Sequence, residues 1–214
     1  KILSSKYGFE TKVLINGTRY QMLSELNRLR SQLTEKDNLL IYYAGHSELD
    51  KVNMRSHWLP VDADLDNTAN WISTIAITDI LNAMSVRHVI VVSDSAYSGA
   101  MTRSSLTRLS SENLTEEKKT AWLKAMLKSR SRTIFTSGGL KPVMDSGGDH
   151  SVFSNAFIQV LNNNTGILEG QQLYRQVASI VIVNSLQNGF KQVPEYSPIR
   201  HAGHEAGEFF FVSR

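Results

Sequence analysis

Runs of apolar and β-branched residues alternate along the chain with segments in which apolar residues recur every three or four positions. The runs, which predict strands, cover residues 11–15, 39–44, 88–93, 133–136 and 208–212. Strands that alternate with helical segments are typical of βαβ units, in which the strands form a mainly parallel sheet. The pattern therefore predicts an α/β fold.

Polar residues mark where several of the predicted helices begin. Thr18, with Gln21 three positions later, matches a capping box, in which the two residues satisfy each other's backbone amides at a helix start. Thr78 and Thr115 predict the starts of two further helices, because a threonine hydroxyl can cap the first turn. The strongest helical stripes of apolar residues follow at 152–161 and 173–181.

Composition narrows the possible partners and environments. The chain has 214 residues, 41% of them hydrophobic and 20% charged, with a formal net charge of +3 and no cysteine. The small net charge gives no basic face for nucleic acid, and the lack of cysteine excludes disulfides. No apolar run reaches the ~18 residues of a membrane span, and the N-terminus does not have the layout of a signal peptide. We therefore expect a cytoplasmic globular protein without nucleic-acid or membrane partners.

A polar segment divides the chain into two parts. Residues 101–120, "MTRSSLTRLSSENLTEEKKT", are rich in serine and threonine and have no apolar periodicity before Thr115. This composition predicts an exposed linker, and an ordinary surface loop is the alternative. Arg103 and Arg108 would lie where a protease can reach them, because exposed loop tips are preferred sites of cleavage.

Two of the predicted strands end in residues that can carry chemistry. "NLLIYYAGHSELD" leads into His46, and "HVIVVSDSAYSG" leads into Asp94 and Ala96. In open parallel sheets, ligands bind at the carboxyl ends of the strands. If these two strands are neighbours, one cleft holds an imidazole, a carboxylate and a methyl group. Asp94 and Ala96 would point to the same side, because they are two residues apart.

The order of the motifs resembles a known enzyme family. The segments "YYAGHSE", "HWLPVDAD", "VVSDSAYSGA", "SRTIFTSGG" and "DHSVFSNAF" are similar to the successive motifs of caspase-like cysteine peptidases, in the branch of bacterial orthocaspases, metacaspases and paracaspases. The resemblance continues through "QVPEYSPIR" and "GEFFFV". It implies a single peptidase domain over residues 1–214, folded as a three-layer sandwich with a mainly parallel central sheet between helices. Residues 1–100 would be the large-subunit-like part, 101–120 the linker and 121–214 the small-subunit-like part.

The resemblance assigns a catalytic dyad to two strand ends. The family places its nucleophilic cysteine at position 96, and His46 precedes this position by 50 residues, the spacing typical of caspases. The backbone amides of position 96 and Ser47 would form the oxyanion hole, although the family more often has glycine at position 47. Ala96 has no thiol. Either a cysteine was replaced to trap an inactive form, or the chain is a natural pseudoprotease that binds peptides or partners as a scaffold.

The resemblance also implies a substrate preference. Asp94 holds the position at which the metacaspase and paracaspase branch binds a basic P1 side chain, the residue just before the cleaved bond. Cleavage after Arg or Lys is therefore expected, and the alternative is that Asp94 only caps the following turn. Asp62, Ser137 and Gly138 are implied to lie beside the substrate cleft. A preference for basic residues would make the linker arginines, Arg103 and Arg108, candidate self-processing sites.

Two groups of residues have spacings that metal ions can use. Asp62, Asp64 and Asp66 could supply oxygen ligands to calcium, but the further acids of calcium-binding family members are replaced around residues 72–74. His201 and His204 lack a third zinc ligand nearby in sequence. We therefore predict no metal or cofactor, with calcium as the alternative.

One departure from the family concerns the start of the chain. Complete members have a strand and a helix before the segment that corresponds to "YGFETKVL", whereas this sequence begins at "KILSSKYGFE". In the family that strand is central in the sheet and brings another acid to the P1 pocket. We therefore expect the upstream strand to have been removed or to be a separate fragment of the same protein that acts as a partner.

Overall fold

The computed structural model describes residues 1–96, 113–138 and 149–214. Within these ranges the chain forms six α-helices, nine strands and one short 3-10 helix at Thr68–Asn70. In chain order the helices and strands are α1 (Ile2–Tyr7), α2 (Arg19–Gln32), β1 (Asn38–Ala44), β2 (His46–Asp50), β3 (Arg55–Leu59), β4 (Ile72–Ser73), α3 (Thr74–Ala83), β5 (His88–Asp94), α4 (Glu116–Lys128), β6 (Ser131–Thr136), α5 (Val152–Asn163), β7 (Ile167–Glu169), α6 (Gly170–Gln187), β8 (Glu195–Pro198) and β9 (Phe210–Val212).

A four-stranded sheet organises the molecule. Its order is β1-β5-β6-β8, with β1, β5 and β6 parallel and β8 antiparallel to β6. Two small antiparallel sheets, β2-β3-β4 and β7-β9, lie outside it. The fold class predicted from the sequence, an α/β sandwich with a mainly parallel central sheet flanked by helices, is confirmed.

Alternate residues of β5 enter two separate cores. Val89 and Val91 pack with apolar residues of α2 and α3, whereas Ile90 and Val92 pack with those of α1, α5 and α6. A parallel strand covered on both faces is expected to be continuously apolar, which explains the run of buried residues from His88 to Ser93. The sheet therefore lies between two helical layers.

Most of the predicted helix starts are confirmed. Thr18 and Gln21 form the expected capping box at α2, and the hydroxyl of Thr115 accepts the amide of Lys118 at the start of α4. The prediction at Thr78 is wrong, because α3 already begins at Thr74, where Ser73 caps the first turn. Thr78 lies inside the helix, and its hydroxyl donates to the Thr74 carbonyl at 2.8 Å.

The strand predictions hold where a neighbouring strand is present. β1, β5 and β6 match their predicted runs, and β9 covers the end of residues 208–212. Residues 11–15 are not a strand: Val13 and Ile15 are 75% and 81% exposed, and no backbone hydrogen bond joins this segment to another described residue. The apolar runs do not predict five further short strands, β2, β3, β4, β7 and β8. None of the helices in the described part of the chain is long and apolar enough to cross a membrane.

Candidate active site

The carboxyl ends of β1 and β5 lie side by side. Ala44 is paired with Asp94 in the parallel register, and adjacent strands are about 4.8 Å apart. His46 and Ala96 each follow this pair by two residues. His46 is exposed and begins β2, while Ala96 is partly buried in the turn after β5. The two segments that carry the predicted dyad therefore leave neighbouring strand ends on the same side of the sheet.

A buried tyrosine fixes the backbone of the turn before His46. The Tyr43 hydroxyl donates to the His46 carbonyl at 2.5 Å and accepts the Leu59 amide, and its ring stacks on Trp58 with centroids 4.1 Å apart. Burial raises the pKa of Tyr43 to about 12, so the hydroxyl keeps its proton. A Cβ atom at Gly45 would lie 2.8 Å from the Tyr43 oxygen, which is why glycine suits this position.

Ser47, the predicted oxyanion residue, lies in extended backbone within β2. It is paired with Trp58 across the β2–β3 ladder and is buried. Its hydroxyl and the Trp58 indole nitrogen have no hydrogen-bond partner among the residues that the structure describes. Its role in an oxyanion hole stays a prediction.

The carboxylate of Asp94 is held by hydroxyl groups from two other elements. Ser151 donates a short hydrogen bond to Oδ2 of Asp94, and its own oxygen caps α5 by accepting the Ser154 amide at 2.9 Å. The Tyr42 hydroxyl, from β1, contacts both Asp94 and Ser154. Burial and the negative charge of Asp94 raise the pKa of Tyr42 well above its ordinary value. Tyr42 therefore remains a neutral donor.

Ser137 and Gly138 are buried at the end of β6, next to β5. The Ser137 amide donates to the Ser93 carbonyl at 3.0 Å, and Gln192 Nε2 donates to the Ser137 carbonyl at 2.7 Å. Beneath this link the hydroxyls of Ser93 and Ser95 are 2.9 Å apart. A backbone hydrogen bond thus links Ser137, one of the residues predicted beside the cleft, to β5, the strand that ends at Asp94.

Asp62 makes its observed contacts elsewhere. Its Oδ1 accepts the Arg19 amide at 2.9 Å, at the first residue of α2, and its carbonyl accepts Asn70 Nδ2 at 3.0 Å. A carboxylate at a helix N-terminus is favourable because it faces the positive end of the helix dipole. These contacts give Asp62 a structural role, and its place beside the substrate stays a prediction.

Two of the candidate metal ligands, Asp64 and His204, accept hydrogen bonds from backbone amides. Asp64 Oδ1 accepts the Asp66 amide at 2.9 Å, and Nδ1 of His204 accepts the Arg132 amide at 3.0 Å. Across residues 1–96, 113–138 and 149–214, no group of three or more acidic or histidine side chains could hold a metal ion.

The two candidate self-processing sites, Arg103 and Arg108, lie outside the described residues. The end of the polar segment 101–120 does fall within them, and it is helical from Glu116 because Thr115 caps α4. An exposed linker therefore stays a prediction for residues 101–112, which lie outside the described residues, whereas residues 116–120 belong to α4.

Three residues at this site were missed by the sequence analysis. Ser151 precedes the strongest apolar stripe of the chain, so a capping role was readable, but its bond to Asp94 depends on tertiary structure. Tyr42 lies within an apolar strand and Gln192 lies in a loop, so the sequence pattern gave no sign that either residue belongs to the site. No local signal marks a side chain whose partner is about 50 residues away along the chain.

Comparison with known proteins agrees with this geometry. A family model described as the caspase domain matches residues 1–201. The chain belongs to the caspase domain family. This is a family of cysteine peptidases that act on proteins. A search of curated proteins gave no match.

Solved structures support the fold of this caspase domain. Caspase-1 from Spodoptera frugiperda has a TM-score of 0.61 at 13% identity, covering 92% of this chain and 74% of that one. A Geobacter sulfurreducens protein solved by a structural genomics project has a TM-score of 0.56 at 14% identity, covering 93% of this chain and 82% of that one. At such identities the likeness concerns the fold alone.

Proposed function

We propose that this caspase domain, with cysteine at position 96, is an endopeptidase that cleaves after Arg or Lys, and that the form with Ala96 is inactive. We place it in the branch of bacterial orthocaspases, metacaspases and paracaspases. The observation that carries the proposal is the pairing of Ala44 with Asp94, from which the segments bearing His46 and position 96 leave adjacent strand ends.

The chemistry would follow the ordinary cysteine peptidase sequence. A thiolate at position 96 attacks the carbonyl carbon of the substrate, and His46 protonates the departing amine as the peptide C–N bond breaks. His46 then takes a proton from water, which attacks the acyl-enzyme and releases the thiolate. The amides of Ser47 and position 96 would stabilise the oxyanion. The methyl group of Ala96 cannot perform the first step.

The preference for basic residues would come from Asp94. Its carboxylate lies at the strand end beside the proposed nucleophile position, where a guanidinium can be accepted by both oxygens. Ser151 donates to this carboxylate and the Tyr42 hydroxyl contacts it, and both groups are neutral. A cationic P1 side chain of the substrate would bring a charge opposite to that of Asp94.

The decisive experiment restores the thiol. Ala96→Cys should hydrolyse peptide reporters with Arg or Lys at P1 and leave an Asp reporter intact. His46→Asn in the same background should abolish turnover, because an amide cannot carry the proton. His201→Asn is the matched control: His201 is exposed and has a φ of 61°, a conformation that Asn tolerates, so activity should be retained.

Two results would reject the peptidase proposal. One is a folded Ala96→Cys protein that cleaves no reporter even when the expected upstream strand is supplied, which would favour a peptide-binding or partner-binding scaffold. The other is hydrolysis that persists after His46→Asn. Cleavage only after Asp would keep the peptidase but overturn the assigned specificity.

We also propose that a strand from an upstream part of the same protein docks on β1. The outer edge of β1 has no neighbour among the described residues, and a groove of about 1340 Å³ separates β1 and α2 from residues 8–17. Ser47 and Trp58, each with a buried polar atom that has no partner among the described residues, are among the residues that line this groove. An extended segment would give backbone acceptors to the edge and cover Leu14, an exposed apolar residue that lines the groove.

A further inference from the structure

The carboxylate of Asp94, at the end of β5, is contacted by side chains from two other elements, β1 and the start of α5. Asp94 ends β5, Tyr42 comes from β1, and Ser151 is the cap of α5. The Tyr42 ring also packs on Phe157 of α5, with centroids 5.7 Å apart. The position of each hydroxyl is therefore fixed by contacts of its own side chain, the Tyr42 ring with Phe157 and the Ser151 oxygen with the start of α5.

A carboxylate held this way has a defined orientation. It has two oxygens and about four lone-pair directions, and Ser151 occupies one of them on Oδ2. The orientation matters more for one cation than for another. A guanidinium is a planar fork that needs both oxygens in its plane, whereas an ammonium is a compact charge that can be accepted from many directions.

We propose that Tyr42 and Ser151 are positioning residues that set the preference for Arg over Lys, by holding the Asp94 carboxylate in the orientation that accepts a guanidinium. This inference rests on the proposed cleavage after basic residues and adds a structural basis for choosing between them. Loss of either hydroxyl leaves the charge of Asp94 in place but removes one of the contacts that orient the carboxylate. The penalty should fall mainly on Arg substrates and appear in KM.

The test compares matched Arg, Lys and citrulline reporters in the Ala96→Cys background. Tyr42→Phe and Ser151→Ala should each lower the Arg-to-Lys ratio of kcat/KM about tenfold, the effect of one lost hydrogen bond to a charged group. Ser151→Thr keeps the hydroxyl and should keep the ratio. Thr115→Ala removes a helix cap of the same kind from α4, so it controls for loss of capping, and the ratio should not change.

A second measurement uses the chain as it stands, with Ala96. Binding of N-acetyl-arginine amide and its lysine counterpart, followed by NMR, should show the same loss of discrimination in Tyr42→Phe. If the Arg-to-Lys ratio is unchanged in both variants and both measurements, the inference is wrong while the proposed specificity stands. If the parent does not distinguish Arg and Lys from citrulline, the proposed specificity itself fails.

Discussion

Arg132 is a buried side chain that joins the end of α3 to the sheet. It is fully buried and donates to carbonyl oxygens of Leu81, Met84 and Val86, among others, at 2.7–3.1 Å. Burial, with a contribution from Arg130, lowers its pKa to about 9. The guanidinium donates to carbonyls at the end of α3 and in the following loop. Arg130 also donates to the Leu81 and Met84 carbonyls, so the Val86 carbonyl is the one of these three that depends most on Arg132.

Replacing Arg132 by Met should lower the free energy of unfolding by about 1–3 kcal/mol, the cost of leaving one buried carbonyl, that of Val86, without its donor. Urea unfolding at neutral pH measures the difference. Arg30→Met, at an exposed position of α2, is the control and should change stability by less than about 0.5 kcal/mol. An Arg132→Met protein within 1 kcal/mol of the parent, on the same order-of-magnitude scale, would contradict this account.

His88 predicts a pH dependence of stability. Its ring nitrogens bond to the Ser131 hydroxyl and the Leu127 carbonyl, each at 3.0 Å, and burial lowers its pKa below the ordinary value of 6.5. Below pH 6.5 the unfolded chain binds a proton that the folded protein binds less readily, so stability should fall as the pH drops through that value.

Urea unfolding at pH 8 and pH 5 tests the assignment to His88. The His88→Asn protein cannot titrate at this position, so it should lose less stability between the two pH values than the parent does. An equal loss in both proteins would show that other groups are responsible.

At the scale of elements, neighbours decide whether a pattern becomes structure. β5 has strands on both sides and adopts its predicted form, whereas residues 11–15 have the composition of a strand but no paired edge. At the start of α6, by contrast, tertiary contacts determine which amino acid can occupy the position. Gly170 begins that helix, and its amide donates to the Phe209 carbonyl at 2.9 Å.

Gly170→Ala should therefore be destabilising. An added Cβ would lie 2.1 Å from the Tyr196 hydroxyl oxygen and 2.7 Å from Glu208 Oε1, and forcing such contacts costs about 1–3 kcal/mol. Gly166→Ala, with nothing within 4 Å of the added atom, is the matched control and should change stability little. Similar thermal unfolding temperatures for both variants would refute the steric argument.

At the scale of the whole molecule, the four-stranded sheet is covered on both faces, and the outer edge of β1 has no paired strand in the described part of the chain. Backbone groups at an open edge exchange their hydrogens readily unless another strand covers them. If the proposed upstream strand docks there, a longer form of the protein that includes it should protect β1 amides from hydrogen exchange at least tenfold better than this chain does. Amides of β5, already paired on both sides, serve as the internal control. Equal protection of β1 in both forms would exclude docking at this edge.

The sequence by itself determined the features that depend on near neighbours in the chain. The Thr18 capping box, the apolar run of β5 and the stripe of α5 follow from local spacing, and they were sufficient for the α/β class. The resemblance of the motifs led to the caspase family, which the family model supports. The order of the motifs also predicted His46 and position 96 as the two dyad positions.

Only the tertiary structure decided which distant groups meet. The hydroxyls of Tyr42 and Ser151 reach Asp94 because the sheet register and the position of α5 bring them there. It also determined that residues 11–15 pair with no described strand and that the Arg132 side chain donates to carbonyls at the end of α3. Hydrogen bonds between side chains far apart in sequence depend on packing, and a pattern with a period of two or four residues carries no information about them.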